Sequence, residues 1–240
     1  MTSLIRAELV GLRTLRSSFV VPVVLVALAA LITSAGLAGA GKKGLTTASQ
    51  LQEPVVVGAG ILVAVVLAGF AAMHVAGRYR HQTITQHLLA SPRRGRTLAA
   101  ELFVYGAVAL VIAAVTLAST ASIAQLLIAD KHLSLGLSAG LVLGVLLAIV
   151  LFATLGVAIG VITRSQPVAI VVLVGAFVIE KLLGEIIGNA AAYLPYGLLD
   201  PLLGLKGATI SRAAAALTLT GIASALSLIA YVLLTRRDVT

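Results

Sequence analysis

Long uncharged, apolar stretches recur along the 240-residue chain, separated by short segments that collect most of its charge. A hydrocarbon core about 30 Å thick is crossed by roughly 20 apolar helical residues. Stretches of that length run from Phe19 to Ala40, from about Val55 to Ala76, from Leu102 to Ala129 and from Leu133 to Thr163. A fifth begins near Pro167 and meets charge at Glu180, Lys181 and Glu185, and the last covers Ala213 to Thr235. The pattern predicts an all-α, polytopic membrane protein with six transmembrane helices, one transmembrane domain over residues 1–240.

Two segments outside the spans also carry a pattern. Leu4, Ile5, Leu9, Leu12 and Leu15 fall at helical spacing, with Arg6, Glu8, Arg13 and Arg16 between them. This predicts an N-terminal amphipathic helix over residues 1–18, lying in the membrane interface. Ala38-Gly39-Ala40 fits a signal-cleavage pattern, but the 18-residue leader and the full spanning length of the apolar stretch argue for an uncleaved helix. Residues 183–208 are too apolar for a hydrated loop and are broken by Gly184, Gly188, Pro195, Gly197, Pro201 and Gly204. They read as a re-entrant extracellular segment shielded by protein, or as a stretch (Leu198 to Leu205) packed on the outer surface of the bundle.

Composition agrees with the pattern. Only 10% of residues are charged and 60% are hydrophobic, where a soluble domain carries about 25% charged residues. The net charge of +9 would suggest nucleic acid in a soluble protein, but in a membrane chain its sidedness matters more. Arg6, Arg13, Arg16, Arg78, Arg80, Arg93, Arg94, Arg96, Arg164, Arg236 and Arg237 fall on one side. Lys42, Lys43, Lys131, Lys206 and Arg212 fall on the other, with Lys181 near the outer end of the fifth span. The positive-inside rule therefore places both termini in the cytoplasm, as an even number of spans requires. The Ala-rich, Arg-over-Lys composition is compatible with a GC-rich bacterial genome but names no organism; the expected location is the bacterial plasma membrane, multi-pass.

Catalytic chemistry finds little purchase. With no cysteine, disulfides and thiolate sites are excluded, and no two of the four histidines have metal-ligand spacing on one helix. Gly36 to Lys42 matches most of a phosphate-binding loop but fails at Lys43, where Ser or Thr must hold Mg²⁺. No nucleotide, cofactor or metal site is expected on this chain, and it is not read as an enzyme.

Ionisable groups near the membrane remain as candidates. Glu101, about one turn inside the third span, either snorkels to the interface or pairs with a loop arginine. Glu180 lies 13 residues past Pro167, roughly 20 Å along a helix, and has no local partner. It is expected to face a pore, a gate or a neighbouring subunit, or to pair structurally. Lys181 and Glu185 are spaced to pair at i,i+4. His74 reads as an interface residue, whereas His81 and His87 belong to the following loop. Gly140/Gly144 and Gly156/Gly160 form two G-x-x-x-G motifs, suited to close helix packing or subunit contact.

The most distinctive stretch is the loop Gly77 to Glu101, GRYRHQTITQHLLASPRRGRTLAAE. Ile84, Leu88 and Leu89 fall at helical spacing within it, and Ser91-Pro92 ends the run. Arg80, Thr83, Leu88, Leu89, Pro92, Arg93 and Arg94 resemble, in order, the loop motif of type-2 ABC transporter permeases. Gly77 stands where that family carries an acidic residue, and Gln82 where it carries Gly before the Thr.

The resemblance implies that residues 77–97 form a cytoplasmic coupling loop, with His81 among its contact residues. The loop would dock on a separate ATP-binding subunit, which would hold ATP and Mg²⁺. It also implies a dimer, with a second permease copy or a homologous permease, in membrane lipid. Residues 183–208 would form an extracellular gate, with Glu180, Glu185, Pro195 and Pro201 as pore and gate residues. The expected function is the permease subunit of an exporter moving a hydrophobic substrate outward. The absence of Trp, with five Tyr and five Phe, disfavours a polysaccharide. The residues alone also admit a positive-inside anchor, an ion-gradient-driven transporter or channel, or a membrane scaffold or immunity protein. No nucleic-acid partner is expected.

Overall fold

A computed structural model describes residues 2–14, 17–42, 48–80, 94–128, 135–205 and 208–236. Among these the chain is predominantly helical, without strands. Helix α1 spans Thr2–Thr14, α2 Ser17–Lys42, α3 Ala48–Val56, α4 Val63–Arg80, α5 Arg94–Ile128 and α6 Ala139–Thr163. Helix α7 spans Gln166–Ile187, α8 is the single turn Leu199–Leu202, and α9 spans Arg212–Arg236. A π-helical turn, Val57–Leu62, joins α3 to α4, and a 3₁₀ segment, Gly188–Tyr193, follows α7.

Five helical stretches are long and apolar enough to cross a membrane: Ser18–Gly39, Leu51–Tyr79, Gly95–Ile128, Ala139–Thr163 and Arg212–Arg236. They are the mark of a multi-pass membrane protein. Their outward faces agree, because Val23, Leu31, Val111, Leu126 and Leu217 are all largely exposed. A soluble monomer rarely leaves so much contiguous apolar surface uncovered. Hydroxyls within the spans bond back to their own helix: Thr116 donates to the Ile112 carbonyl at 2.7 Å, and Thr120 to that of Thr116 at 2.9 Å. Helix α7, the remaining expected span, is not among the five. It carries Glu180, Lys181 and Glu185 in its last eight residues.

Helix α6 is the centre of the bundle, packed against α4, α5 and α9. Its G-x-x-x-G motifs create that position. A Cβ on Gly156 would collide with the Ala68 carbonyl oxygen, and one on Gly160 would lie 2.6 Å from that of Ala72. Without side chains at these positions α6 and α4 approach backbone to backbone, and the matched register (156 on 68, 160 on 72) makes them parallel. Gly144, four residues after Gly140, gives the same close approach to the Leu202 carbonyl. Both motifs are thus consumed inside the chain; the alternative expectation of subunit contact is not where these glycines are used.

The bundle has two distinct ends. Leu12 of α1, Leu98 of α5 and Leu234 of α9 share one apolar cluster, so the two ends of the chain lie together. At the far end, Gln52 donates to the carbonyls of Leu135 and Gly136, both at 2.9 Å, and the segment after α7 folds back into the bundle. There Leu198, Leu199, Leu202 and Leu203 are each 2% exposed or less.

Several boundaries differ from expectation. The helix of the third span starts eight residues before Leu102, at Arg94, where Leu98 finds apolar partners at the end holding the termini. Of residues 77–97, the described ones are helical: α4 carries the chain to Arg80, and α5 begins at Arg94. The π turn was not anticipated. Pro54 cannot donate a helical hydrogen bond, and Gly58 and Gly60 allow α2 and Leu203 to close on the turn that follows. Thr33 supports it by donating to the Pro54 carbonyl at 3.3 Å.

Gly156→Val should destabilise the bundle by about 1–3 kcal/mol through overpacking, read as a lower thermal unfolding midpoint in detergent. Gly175→Ala, where a Cβ meets nothing within 4 Å, should be neutral or stabilising. Equal midpoints for the two variants would show that the α4–α6 contact does not hold the bundle.

Candidate functional site

The end of the bundle that holds both termini contains a buried ionic centre. Arg78, in the last turn of α4, donates through Nη1 to Glu8 Oε1 of α1 at 2.6 Å and to Glu101 Oε1 of α5 at 3.0 Å. Its Nη2 donates to the Tyr105 hydroxyl at 3.2 Å. That hydroxyl shares a further hydrogen bond with His74 Nδ1 at 2.9 Å, and the His74 ring leans on Phe70. Both carboxylates are only 4% exposed. Helical geometry explains the grouping. His74 and Arg78 are i,i+4 on α4, Glu101 and Tyr105 are i,i+4 on α5, and the two pairs meet face to face.

Glu101 therefore pairs with an arginine, as one expectation held, although Arg78 is helical rather than part of a loop. Glu8 is buried too, while Leu9 is 43% exposed. On α1, Glu8 stands at i+3 from Ile5 and i−4 from Leu12, so the carboxylate and these apolar side chains share the inward face. The sequence signal was available: Glu8 is a lone acid among Arg6, Arg13 and Arg16, and Glu101 lies within an apolar span.

Arg164 borders this centre. It caps α6 in the left-handed region (φ 52°), its N–H donating to the Gly160 carbonyl at 3.0 Å. Its guanidinium carbon sits 5.2 Å from the centre of the Tyr79 ring, a cation–π contact.

The far end contains the second grouping. Glu180 Oε2 accepts the backbone N–H of Tyr196 at 2.8 Å and that of Gly197 at 3.3 Å. Tyr196 donates its hydroxyl to the Leu173 carbonyl at 2.9 Å, while its ring lies edge-on to Phe152 and Phe177. Glu180, expected to lack a local partner, is thus the clamp that fastens the post-α7 turn to its own helix. The i,i+4 pair of Lys181 and Glu185 does not form among the described residues. The Lys181 ammonium instead lies 5.8 Å from the centre of the Phe177 ring.

Glu185 is exposed on α7, Pro195 is half-buried in the turn, and Pro201 is buried in α8. Burial raises the Asp200 carboxyl above its ordinary range, with Lys181 pulling the other way, and pushes the Tyr196 phenol up to about 12. Of the residues assigned to coupling, His81, Thr83, Leu88, Leu89, Pro92 and Arg93 lie outside the described residues. Arg80 ends α4 and Arg94 begins α5. The two helices that flank the loop are therefore the two that Arg78 joins.

Among the described residues no cluster of His, Asp and Glu has the makings of a metal site. No protein-family model matches the chain, and no curated protein matches it.

Arg78→Met leaves Glu8 and Glu101 buried without a cation, at a cost of about 3–5 kcal/mol. Thermal unfolding should fall accordingly, and hydrogen exchange of α1 should rise. The triple change Glu8→Leu, Arg78→Met and Glu101→Leu should recover most of the loss, since apolar residues replace such centres at little cost. An Arg78→Met chain as stable as the unaltered one would mean that the centre contributes nothing.

Proposed function

We propose that the chain is the permease subunit of a type-2 ABC exporter, driven by a separate cytoplasmic ATP-binding subunit. The observation that carries this reading is the ordered run Arg80, Thr83, Leu88, Leu89, Pro92, Arg93 and Arg94 between two long apolar helices. Support comes from the ionic centre directly behind that run. A push on a loop does mechanical work only if its two ends move the helices that carry it. Arg78 ties the end of α4 to α5 and to α1, so a displacement of residues 81–93 would be shared by three helices.

On this reading α7 is a sixth span, the termini are cytoplasmic, and the plug of Leu198, Leu199, Leu202 and Leu203 is the re-entrant outer gate. Two copies, or one copy with a homologous partner, would enclose a path for a hydrophobic substrate moving outward. ATP and Mg²⁺ would belong to the partner subunit, and this chain would carry out no covalent chemistry.

A gradient-driven transporter is the second reading, favoured by the interrupted helix at Val57–Leu62. Against it, Gly58 and Gly60 are closed over by Ala29, Thr33 and Leu203.

The test is purification from the native membrane in mild detergent with partners retained. The intact chain should bring down an ATPase, and Arg93→Glu/Arg94→Glu should release it or uncouple its activity. A chain that purifies alone at normal yield removes the coupling assignment and leaves the gradient-driven transporter in front. Topology can be checked without background labelling, because the chain has no cysteine. Thr46→Cys should react with an impermeant maleimide on intact cells, and Ser91→Cys only after lysis. The reverse pattern would invert the proposed orientation.

A further inference from the structure

The far end of the bundle fixes a guanidinium in place without a counter-charge. Arg212 opens α9 there, and its side chain reaches across to α6 and to the turn after α8. Nη1 lies 2.6 Å from where a Cβ on Gly140 would stand, and Nη2 lies 2.6 Å from that position on Gly204. Two bare backbones thus make room for the head of this side chain. Its Nε is buried and has no hydrogen-bond partner. Among the described residues every ion pair within 4.0 Å belongs to Arg78. Asp200, the nearest acid along the chain, answers to Lys181 instead.

The surroundings add positive charge rather than remove it. Helices α6 and α9 both begin at this end, and each helix start carries about half a positive charge. Arg212 is the first residue of α9 and lies against the second residue of α6, so it stands at the unfavourable end of both dipoles. Ser138 accepts the N–H groups of Leu141 and Val142, which leaves those of Ala139 and Gly140 over, as at any helix start. The Ser138 hydroxyl accepts from Leu141 and keeps its own proton to donate. Donors and positive ends gather here with no acid paired to them. That is the complement of an anion.

Level and geometry set the class. Ala139 and Arg212 are the first residues of two stretches long and apolar enough to cross a membrane. The group therefore sits where spans end, at the depth of phospholipid headgroups. A flat carboxylate is satisfied by the fork of the guanidinium alone. Donors from a guanidinium, a helix start and a hydroxyl suit a tetrahedral anion with oxygens pointing several ways.

We propose that Arg212, with the Ser138 hydroxyl and the N–H groups of Ala139 and Gly140, binds a phosphate-type oxyanion. A phospholipid headgroup and free phosphate offer the same chemistry. The site needs no ATP-binding partner, and it stands whether or not the permease reading holds.

The full chain, purified in detergent and freed of lipid, provides the test. In one arm it is titrated with inorganic phosphate, against chloride at equal ionic strength. In the other it receives phosphatidylglycerol in mixed micelles, against diacylglycerol of the same acyl chains. Bound phosphate is read by phosphorus NMR, and near saturation the thermal unfolding midpoint should rise by about 2–4 °C. Arg212→Gln should weaken binding at least about tenfold.

Gly140→Ala separates a built site from simple attraction to a charge. Its Cβ would meet nothing but the Arg212 guanidinium within 4 Å, so the fold and the charge stay while the head is displaced. Binding should fall here too, by at least about fivefold, whereas Gly175→Ala, open on all sides, should bind as the unaltered chain does. A response to inorganic phosphate, with or without one to lipid, assigns a free anion; a response to phosphatidylglycerol alone assigns a headgroup. Either supports the site. No response in either arm, or binding that survives Arg212→Gln or Gly140→Ala, would overturn it.

Discussion

At the middle of the bundle, α4 and α6 touch through main chain, with Gly156 over the Ala68 carbonyl and Gly160 over that of Ala72. Most other features take their place from this contact. A helix pair that close admits no side chain between its members, so its register is set by glycine positions and cannot slide. The parallel direction then sends the C-terminal ends of both helices, with Arg78 and Arg164, to the same end of the bundle. The opposite end of α6 is left to receive Leu202 against Gly144. One backbone contact therefore separates a charged end from a plugged end.

The charged end is where burial and electrostatics oppose one another. Removing Glu8, Glu101 and Arg78 from water costs several kcal/mol per ion, and their attraction offsets that only with short, well-directed bonds. The arrangement meets the condition by drawing on three helices at once, with the Tyr105 hydroxyl occupying the remaining fork of the guanidinium. Such a centre adds little net stability compared with apolar packing. What it does provide is a unique orientation of α1 against α4 and α5, which leucines alone would leave free to rotate.

The plugged end follows different rules. Irregular backbone among apolar helices needs partners for its N–H groups. Glu180 supplies them for Tyr196 and Gly197, and the Tyr196 hydroxyl in turn reaches the Leu173 carbonyl. The Glu180 carboxylate, near the end of an apolar helix, is thus explained by the turn it holds.

The chain's character as a membrane-spanning, all-helical protein was legible in the sequence, because hydrophobicity over 20 residues is a local property that solvent alone reads. The same holds for the approximate position of five spans and for the apolar, broken segment after Ile187. What tertiary structure decided were the pairings. Glu8 is one charge among the leucines of a short helix, and its partner Arg78 lies 70 positions away. Glu180 looks solitary until the chain returns 16 residues later with two unpaired N–H groups. Glycine motifs announce close packing without naming a partner, and only the assembled bundle assigns Gly156 to Ala68 and Gly144 to Leu202. Hydropathy acts on each residue in turn, whereas a charge or a missing side chain acquires meaning only from what lies across the gap.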